Sequence, residues 1–186
     1  MPYSITMQTY EDVVEHFKNN HNIKISGFER WKLSDVKVLL AGYDDLIMLA
    51  SIAGEFIRRI EYDPKLKDYA RMSETGISRV GLKGAGSYST GIHEAVHAVD
   101  YIKSDVGTFS FSETILKESR KELKLRKNSK QYGTLVFNTT GNYYEADLDY
   151  EALAYSIETE MAGGNSNDLT KTVLKCFLSV IKNESM

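Results

Sequence analysis

The sequence predicts an α+β fold in which a small sheet packs on a central helix. Most of the chain has the periodicity of amphipathic helices, whereas residues 57–62 and 77–82 have the β-branched, alternating character of strands. Apolar residues make up 42% and charged residues 26% of the 186-residue chain, which is typical of an ordered globule. We therefore expect a single domain spanning residues 1–186, with an N-terminal helical lobe (1–56) and a core (57–186).

The N-terminal lobe is predicted to hold three helices and one short strand. Thr9 can cap a first helix over residues 10–17, which has an apolar stripe and early acidic residues. An extended piece follows at residues 23–25. A second helix opens at Ser34 and closes at Gly42, and a third, over residues 44–56, is apolar enough to be buried.

A glycine-rich stretch separates the second strand of the core from the central helix. Its glycines are Gly81, Gly84, Gly86 and Gly91. Two interpretations stay open for it. It is either a flexible turn in which Ser89 or Thr90 caps the next helix, or an edge strand whose backbone pairs with an extended peptide.

The central helix carries the most informative motif, His93-Glu94-Ala95-Val96-His97. Because residues four apart share one face of a helix, both imidazoles can bind a single metal ion. Zinc accepts neutral imidazole ligands, and Glu94 lies where it can take a proton from a water molecule beside the metal. The alternative is a buried helix whose histidines only hydrogen-bond in a core. No helical spacing links His16 or His21 to this pair, so both are expected at the surface or rim.

The C-terminal part is predicted to be mainly helical. A capping box at residues 110–113 starts a helix to about Lys127, whose basic end is either a solvated face or a groove for an acidic partner. Residues 133–137 look like a strand. A helix from Asp149 through Glu158 stops at Gly163, and an amphipathic helix over residues 167–182 closes the fold.

Catalytic zinc needs a third protein ligand and one open position. An extended histidine motif is excluded, because Asp100 and Lys103 occupy the positions of its glycine and its third ligand. The other completion is a carboxylate from the helix that begins at Asp149. Glu151 is preferred because small alanines beside it allow two helices to approach closely, and Glu158 on the same face is the alternative.

Two more residues are candidates for supporting roles. Tyr144 could donate a hydrogen bond to the oxyanion that forms when water attacks a peptide carbonyl, although a packed or loop tyrosine is an equal alternative. Asp100 lies two helical turns beyond His93 and could hydrogen-bond an imidazole, although an ordinary surface acid is nearly as good an interpretation.

Composition and charge limit the kinds of partner and the cellular compartment that we expect. A net charge of −3 and a pI near 5.8 give no reason to expect nucleic acid. No stretch approaches the length of a membrane span, and the N-terminal residues lack the pattern of a secretory signal. We therefore expect a soluble protein of the cytoplasm with no membrane partner. The single cysteine, Cys176, lies in an apolar run and is expected in the core.

The run from His93 to Tyr101, with Tyr144 seven residues before Glu151 and Ala154 three after it, resembles zincin peptidases whose third ligand is a glutamate. The most similar group is the anthrax lethal factor-like group, which includes the bacterial Pro-Pro endopeptidases. The resemblance covers about residues 77–161 and implies a zincin-like fold. It implies zinc bound by His93, His97 and Glu151, Glu94 as the base, and Tyr144 beside the oxyanion. Val96 departs from the pattern, since group members often have glycine there.

With a helical N-terminal third and without the pattern of a secretory signal, the chain also resembles the peptidase-like domains attached to phage minor head proteins. Together these features predict a zinc-dependent endopeptidase that acts on a protein or peptide, either cytoplasmic or associated with a phage. Two alternatives stay open. One is a prophage regulatory peptidase that cleaves a repressor, and the other is a non-catalytic zinc-binding module of a phage head or toxin protein.

Overall fold

A computed structural model describes residues 7–104, 110–140 and 149–183, and it confirms the α+β class. Contacts within the chain divide it into two compact units, Met1–Ile102 and Lys103–Met186. The boundary lies well beyond the expected junction of lobe and core at residue 56, and a single domain stays a prediction. Within the described ranges, none of the helices combines the length and the apolar character needed to cross a membrane.

The first unit contains a mixed sheet and the central helix. Its elements are α1 (Tyr10–His21), β1 (Lys24–Ser26), α2 (Leu33–Leu49), α3 (Ile52–Phe56), β2 (Arg59–Tyr62), β3 (Ala70–Met72), β4 (Ile77–Val80), a 3₁₀ turn at Leu82–Gly84, and α4 (Tyr88–Lys103). The largest fully buried side chains of this unit include Phe17, Phe28, Leu39, Tyr43, Leu46 and Ile60. Apolar faces of both helices and strands therefore build its core.

The sheet has the strand order β1-β2-β4-β3. β1 pairs with β2 and β2 with β4 in parallel, whereas β3 runs antiparallel to β4. The parallel register places Ile25 beside Ile60, and Ile60 beside Ser78. The strands predicted within 57–62 and 77–82 are confirmed. β3 was missed because Ala70-Arg71-Met72 is only three residues long and has no β-branched side chain.

The predicted cap of α1 is confirmed. Thr9 Oγ1 accepts a hydrogen bond from the Asp12 backbone N–H at 3.1 Å, and the Asp12 carboxylate accepts one from the Thr9 N–H at 2.8 Å. This is a capping box, which satisfies N–H groups that have no partner within the helix. The helix continues past the predicted end at Phe17 to His21, where Asn22 ends it in the left-handed conformation with φ 56°.

The prediction that a helix closes at Gly42 is wrong, because α2 runs unbroken from Leu33 to Leu49. Gly42 instead lies where α2 crosses α4. A Cβ added at Gly42 would lie 2.1 Å from the Tyr88 carbonyl oxygen, and one added at Gly91 would lie 2.3 Å from the Leu39 carbonyl oxygen. The two glycines therefore let the helix backbones touch, which fixes the start of α4 against α2.

We expect Gly91→Ala to lower the free energy of unfolding by about 1–3 kcal/mol or more, because the methyl group would displace the α2 backbone. Urea denaturation followed by circular dichroism measures this change. Gly164→Ala is the matched control, since its added Cβ would come no closer than 3.3 Å to Thr159. Equal stability of the Gly91 and Gly164 variants would contradict the close crossing.

The glycine-rich stretch before α4 is a turn, and the edge-strand interpretation is wrong. Residues 82–84 form a 3₁₀ turn, and no residue from 81 to 91 is in a strand. Cβ atoms added at Gly81 and Gly84 would lie 2.3 Å and 2.5 Å from the carbonyl oxygens of Asp68 and Tyr69. These glycines therefore allow the chain to fold back closely on the segment before β3.

The cap of α4 is Ser87, and the expectation that Ser89 or Thr90 caps it is wrong. Ser87 Oγ accepts a hydrogen bond from the Thr90 backbone N–H at 3.2 Å and lies 2.7 Å from Thr90 Oγ1. The helix begins two or three residues earlier than expected, at Tyr88. The Tyr88 hydroxyl donates to Asp45 Oδ2 at 2.6 Å, which ties this first turn to α2.

The second unit is helical in its described residues. Its elements are α5 (Ser110–Glu122), α6 (Lys130–Thr140), α7 (Asp149–Ala162) and α8 (Asp168–Asn183). Gly163, with φ 77°, ends α7 as predicted. α5 ends about one turn before the predicted Lys127, and Cys176 is half-buried on α8 rather than in the core.

The predicted strand at residues 133–137 is wrong, because this segment lies inside α6. Its apolar run is short enough to suit either structure, and tertiary packing decides between them. The Tyr132 hydroxyl accepts a hydrogen bond from the Arg120 guanidinium at 3.2 Å, and that guanidinium also lies 5.1 Å from the centre of the Tyr132 ring. These contacts join α6 to α5.

Candidate metal centre

α4 brings the two histidines of the motif together on one face. The Nε2 atoms of His93 and His97 lie 3.0 Å apart, and their rings meet edge to face with centroids 4.6 Å apart. Nitrogen ligands of a tetrahedral zinc ion, each at about 2.0–2.1 Å from it, are separated by about 3.3 Å. The two imidazoles therefore need only a small opening to bind one ion. A direct N–H···N hydrogen bond between two neutral rings gives the same separation without a metal.

The environment of His97 favours the neutral ring that a metal requires. The side chain is 8% exposed. Burial lowers the pKa of His97 well below its ordinary value, and a charged His93 beside it lowers that pKa further. Because metals bind imidazole without its second proton, His97 can serve as a ligand at neutral pH without first losing a proton.

The lowered pKa of His97 predicts that the metal-free protein loses stability as the pH falls. The unfolded chain protonates this ring below about pH 6.5, whereas the folded protein keeps it neutral. The stability that His97 contributes is thus complete above pH 6.5 and is lost as the pH falls toward the folded pKa, at up to about 1.4 kcal/mol per pH unit.

Urea denaturation of chelator-treated protein at several pH values from 7.5 downward tests this dependence, with His97→Gln as the reference. We expect the wild type to lose more stability than the variant on acidification. Parallel losses in the two proteins would show that His97 keeps an ordinary pKa.

Glu94 is buried beside the histidine pair, with 4% of its surface exposed. Burial raises the pKa of Tyr43 well above its ordinary value, and the negative charge of Glu94 adds to the increase. Tyr43 is itself held by a 2.6 Å hydrogen bond between its hydroxyl and Ser78 Oγ on β4. Glu94 of α4 thus interacts electrostatically with Tyr43 of α2, which β4 holds in place, and a buried carboxylate can accept a proton from a nearby water molecule.

Asp100 is not a surface acid, because only 1% of it is exposed. It lies on the buried stretch of α4, two turns beyond His93. The next residue, Tyr101, stacks on Phe56 with ring centroids 5.6 Å apart, which anchors the end of α4 to α3. The role of Asp100 as a hydrogen-bond partner of an imidazole stays a prediction.

The predicted third ligand belongs to the second unit. Glu151 is the third residue of α7 and is half-buried, as is Glu158 two turns later. Ala152 and Ala154 are buried, with 4% and 0% exposed. The helix and its start at Asp149 are as predicted, whereas the choice between the two glutamates stays a prediction. Tyr144 lies outside the described residues.

A second group of possible ligands was missed in the sequence. His16 and His21, expected at the surface or rim, are half-buried, and both contact the carboxylate of Asp44 on α2. No short-range pattern in the sequence indicates this group, because Asp44 is 23 residues beyond the nearer histidine. The signal available in the sequence was Asp44 itself, an acidic residue in the interior of a largely apolar helix.

Comparisons of the chain with models of protein families, with curated proteins and with solved structures find no match. The candidate centre is therefore characterised by its own residues on α4, the histidine pair and the buried Glu94.

Proposed function

We propose that the protein is a zinc-dependent endopeptidase with a zincin-like active site on α4. The main support is the 3.0 Å separation of the His93 and His97 Nε2 atoms on a buried helix that also carries Glu94. A helix that only needed to fill a core would gain nothing from two imidazoles and a carboxylate in five residues, because each costs free energy when buried.

We propose Glu151 as the third ligand. With His93 and His97 it gives two imidazole nitrogens and one carboxylate oxygen, a set that could hold a metal ion. This donor set is typical of catalytic zinc, which keeps one position open for water or substrate. Zinc, when bound, polarises the scissile carbonyl and lowers the pKa of a water molecule.

Glu94 is the proposed general base and general acid. Its carboxylate takes a proton from water while the water oxygen forms a bond to the carbonyl carbon of the substrate. The same carboxyl then gives this proton to the amide nitrogen as the carbon–nitrogen bond breaks. Tyr144 is the proposed donor of a hydrogen bond to the oxyanion formed in between.

Cleavage of a peptide library, read by mass spectrometry, tests this function. We expect cleavage by the zinc-loaded protein, loss of cleavage with a chelator, and recovery when zinc is added back. His97→Ala should cleave nothing. One equivalent of bound zinc without any cleavage would overturn the proposal and favour a non-catalytic zinc-binding module of a phage head or toxin protein.

A further inference from the structure

The first unit holds another group of metal-ligand side chains, formed by His16 and His21 of α1 and Asp44 of α2. The Nε2 atoms of His16 and His21 lie 3.3 Å and 2.5 Å from the same oxygen, Asp44 Oδ1. One ligand atom from each residue lies within 4.8 Å of the other two. We propose that this group, the His16–His21–Asp44 cluster, is a second zinc-binding site that is independent of the α4 histidines.

The distances suit a tetrahedral ion after a small movement. Ligands at about 2.0–2.1 Å from a tetrahedral zinc ion are about 3.3 Å from one another. The His16–Asp44 separation of 3.3 Å already has this value, and the His21–Asp44 separation of 2.5 Å would have to open by roughly 0.8 Å. A rotation of the Asp44 carboxylate or of one imidazole is enough for that.

Packing around the second half of α1 holds both imidazoles in place. The Phe17 ring is fully buried and contacts both histidines edge to face, with centroids 5.6 Å from His16 and 5.5 Å from His21. The left-handed cap at Asn22 fixes the backbone that carries His21. Ligands held by a packed core lose less conformational freedom when they bind a metal, which favours binding of the ion.

Asn20 supplies the outer contact that a metal-bound imidazole usually has. Its amide nitrogen lies 2.8 Å from His16 Nδ1. Rotating the amide by 180° exchanges its nitrogen and oxygen, so that the oxygen accepts a hydrogen bond from Nδ1–H. In that state the proton of the His16 ring is on Nδ1, so that Nε2 can bind a metal.

One member of the cluster, His21, lines a polar cleft from which water could complete the coordination. The cleft has a volume of about 770 Å³, and its lining includes Asn20, His21, Asn22, Ser51, Glu55 and Arg58. Three protein ligands, one of which lines a cleft, match a site with one open position. The competing explanation is a metal-free cluster in which both imidazoles donate hydrogen bonds to one carboxylate.

Measurement of the zinc content per chain distinguishes these explanations without using peptidase activity. The His93→Gln/His97→Gln double variant, loaded with Zn²⁺ and dialysed, should retain one zinc per chain. Adding His21→Gln to it should remove that zinc, as should adding Asp44→Asn, which keeps the shape of the side chain but not its charge. With Co²⁺ in place of zinc, the double variant should show the visible absorption of a tetrahedral site.

Asp45→Asn is the matched control, because this neighbouring carboxylate contacts Tyr88 rather than the cluster. It should leave the second zinc in place. A double variant that binds no metal, or one whose zinc survives both His21→Gln and Asp44→Asn, would overturn the proposal.

If the double variant does not fold, the wild-type protein and His21→Gln are compared instead. A loss of one zinc per chain in His21→Gln supports the second site, and an unchanged zinc content overturns it. If the wild-type protein binds one zinc and His21→Gln removes it, the result supports this site and counts against the proposed peptidase centre.

Discussion

Glu94→Gln is expected to remove nearly all peptide cleavage while leaving zinc binding unchanged. The amide has nearly the shape of the carboxylate but cannot take a proton from water, so the chemical step loses its base. General acid–base catalysis contributes roughly 10²–10⁴-fold to enzymatic rates, and we expect a decrease of that size in kcat/KM. Rates of library-derived peptide cleavage, together with zinc content, measure the two effects separately.

The matched control is Glu15→Gln, which makes the same chemical change at an exposed position of α1. It should keep the wild-type rate. Wild-type cleavage by Glu94→Gln would contradict the proposed mechanism. Loss of zinc from Glu94→Gln would show that this buried side chain supports the ligands rather than the reaction.

Glu151→Ala is expected to weaken zinc binding by more than roughly 100-fold and to remove activity. Loss of a residue that only supports a ligand already costs roughly 10–100-fold in affinity, and loss of the ligand itself should cost more. Competition with a coloured zinc chelator measures the affinity. If the His16–His21–Asp44 cluster also binds zinc, the measurement is made in the His21→Gln background.

Glu158→Ala is the matched control, because Glu158 lies two turns along the same helix and is also half-buried. It should bind zinc as the wild type does. The reverse result, with zinc lost from Glu158→Ala only, would make Glu158 the third ligand. Normal zinc binding by both variants would contradict a zincin-like centre completed from α7.

Elements set by local chemistry could be predicted from the sequence. The capping box at Thr9, the periodic apolar face of α8 and the glycine stop after α7 all act within a few residues, and each is observed. The histidine pair belongs to the same class, because the helical repeat alone brings residues four apart onto one face.

Features set by distant contacts could not be predicted. Gly42 resembles a helix terminator, yet it serves the crossing of α2 and α4, a contact between segments almost fifty residues apart. Residues 133–137 fit a strand by composition, but the packing of α6 against α7 and α8 favours a helix. Local propensity is a weak guide wherever tertiary packing supplies the larger free energy.

The same limit applies to the functional residues. The motif in α4 indicated His93, Glu94 and His97 as candidates, but it could not indicate that the charge of Glu94 acts on the buried Tyr43, whose hydroxyl hydrogen-bonds to Ser78. The motif also did not indicate that Asp44 contacts both His16 and His21, because those contacts form only when α1 packs beside α2.

Anomalous X-ray diffraction at the zinc absorption edge, from crystals of the zinc-loaded protein, tests the central claim most directly. We predict an anomalous peak bonded to the Nε2 atoms of His93 and His97 and to a carboxylate oxygen of Glu151, with one further position held by solvent. No peak at the α4 histidines, or an ion there with four protein ligands and no open position, would contradict a catalytic zinc centre.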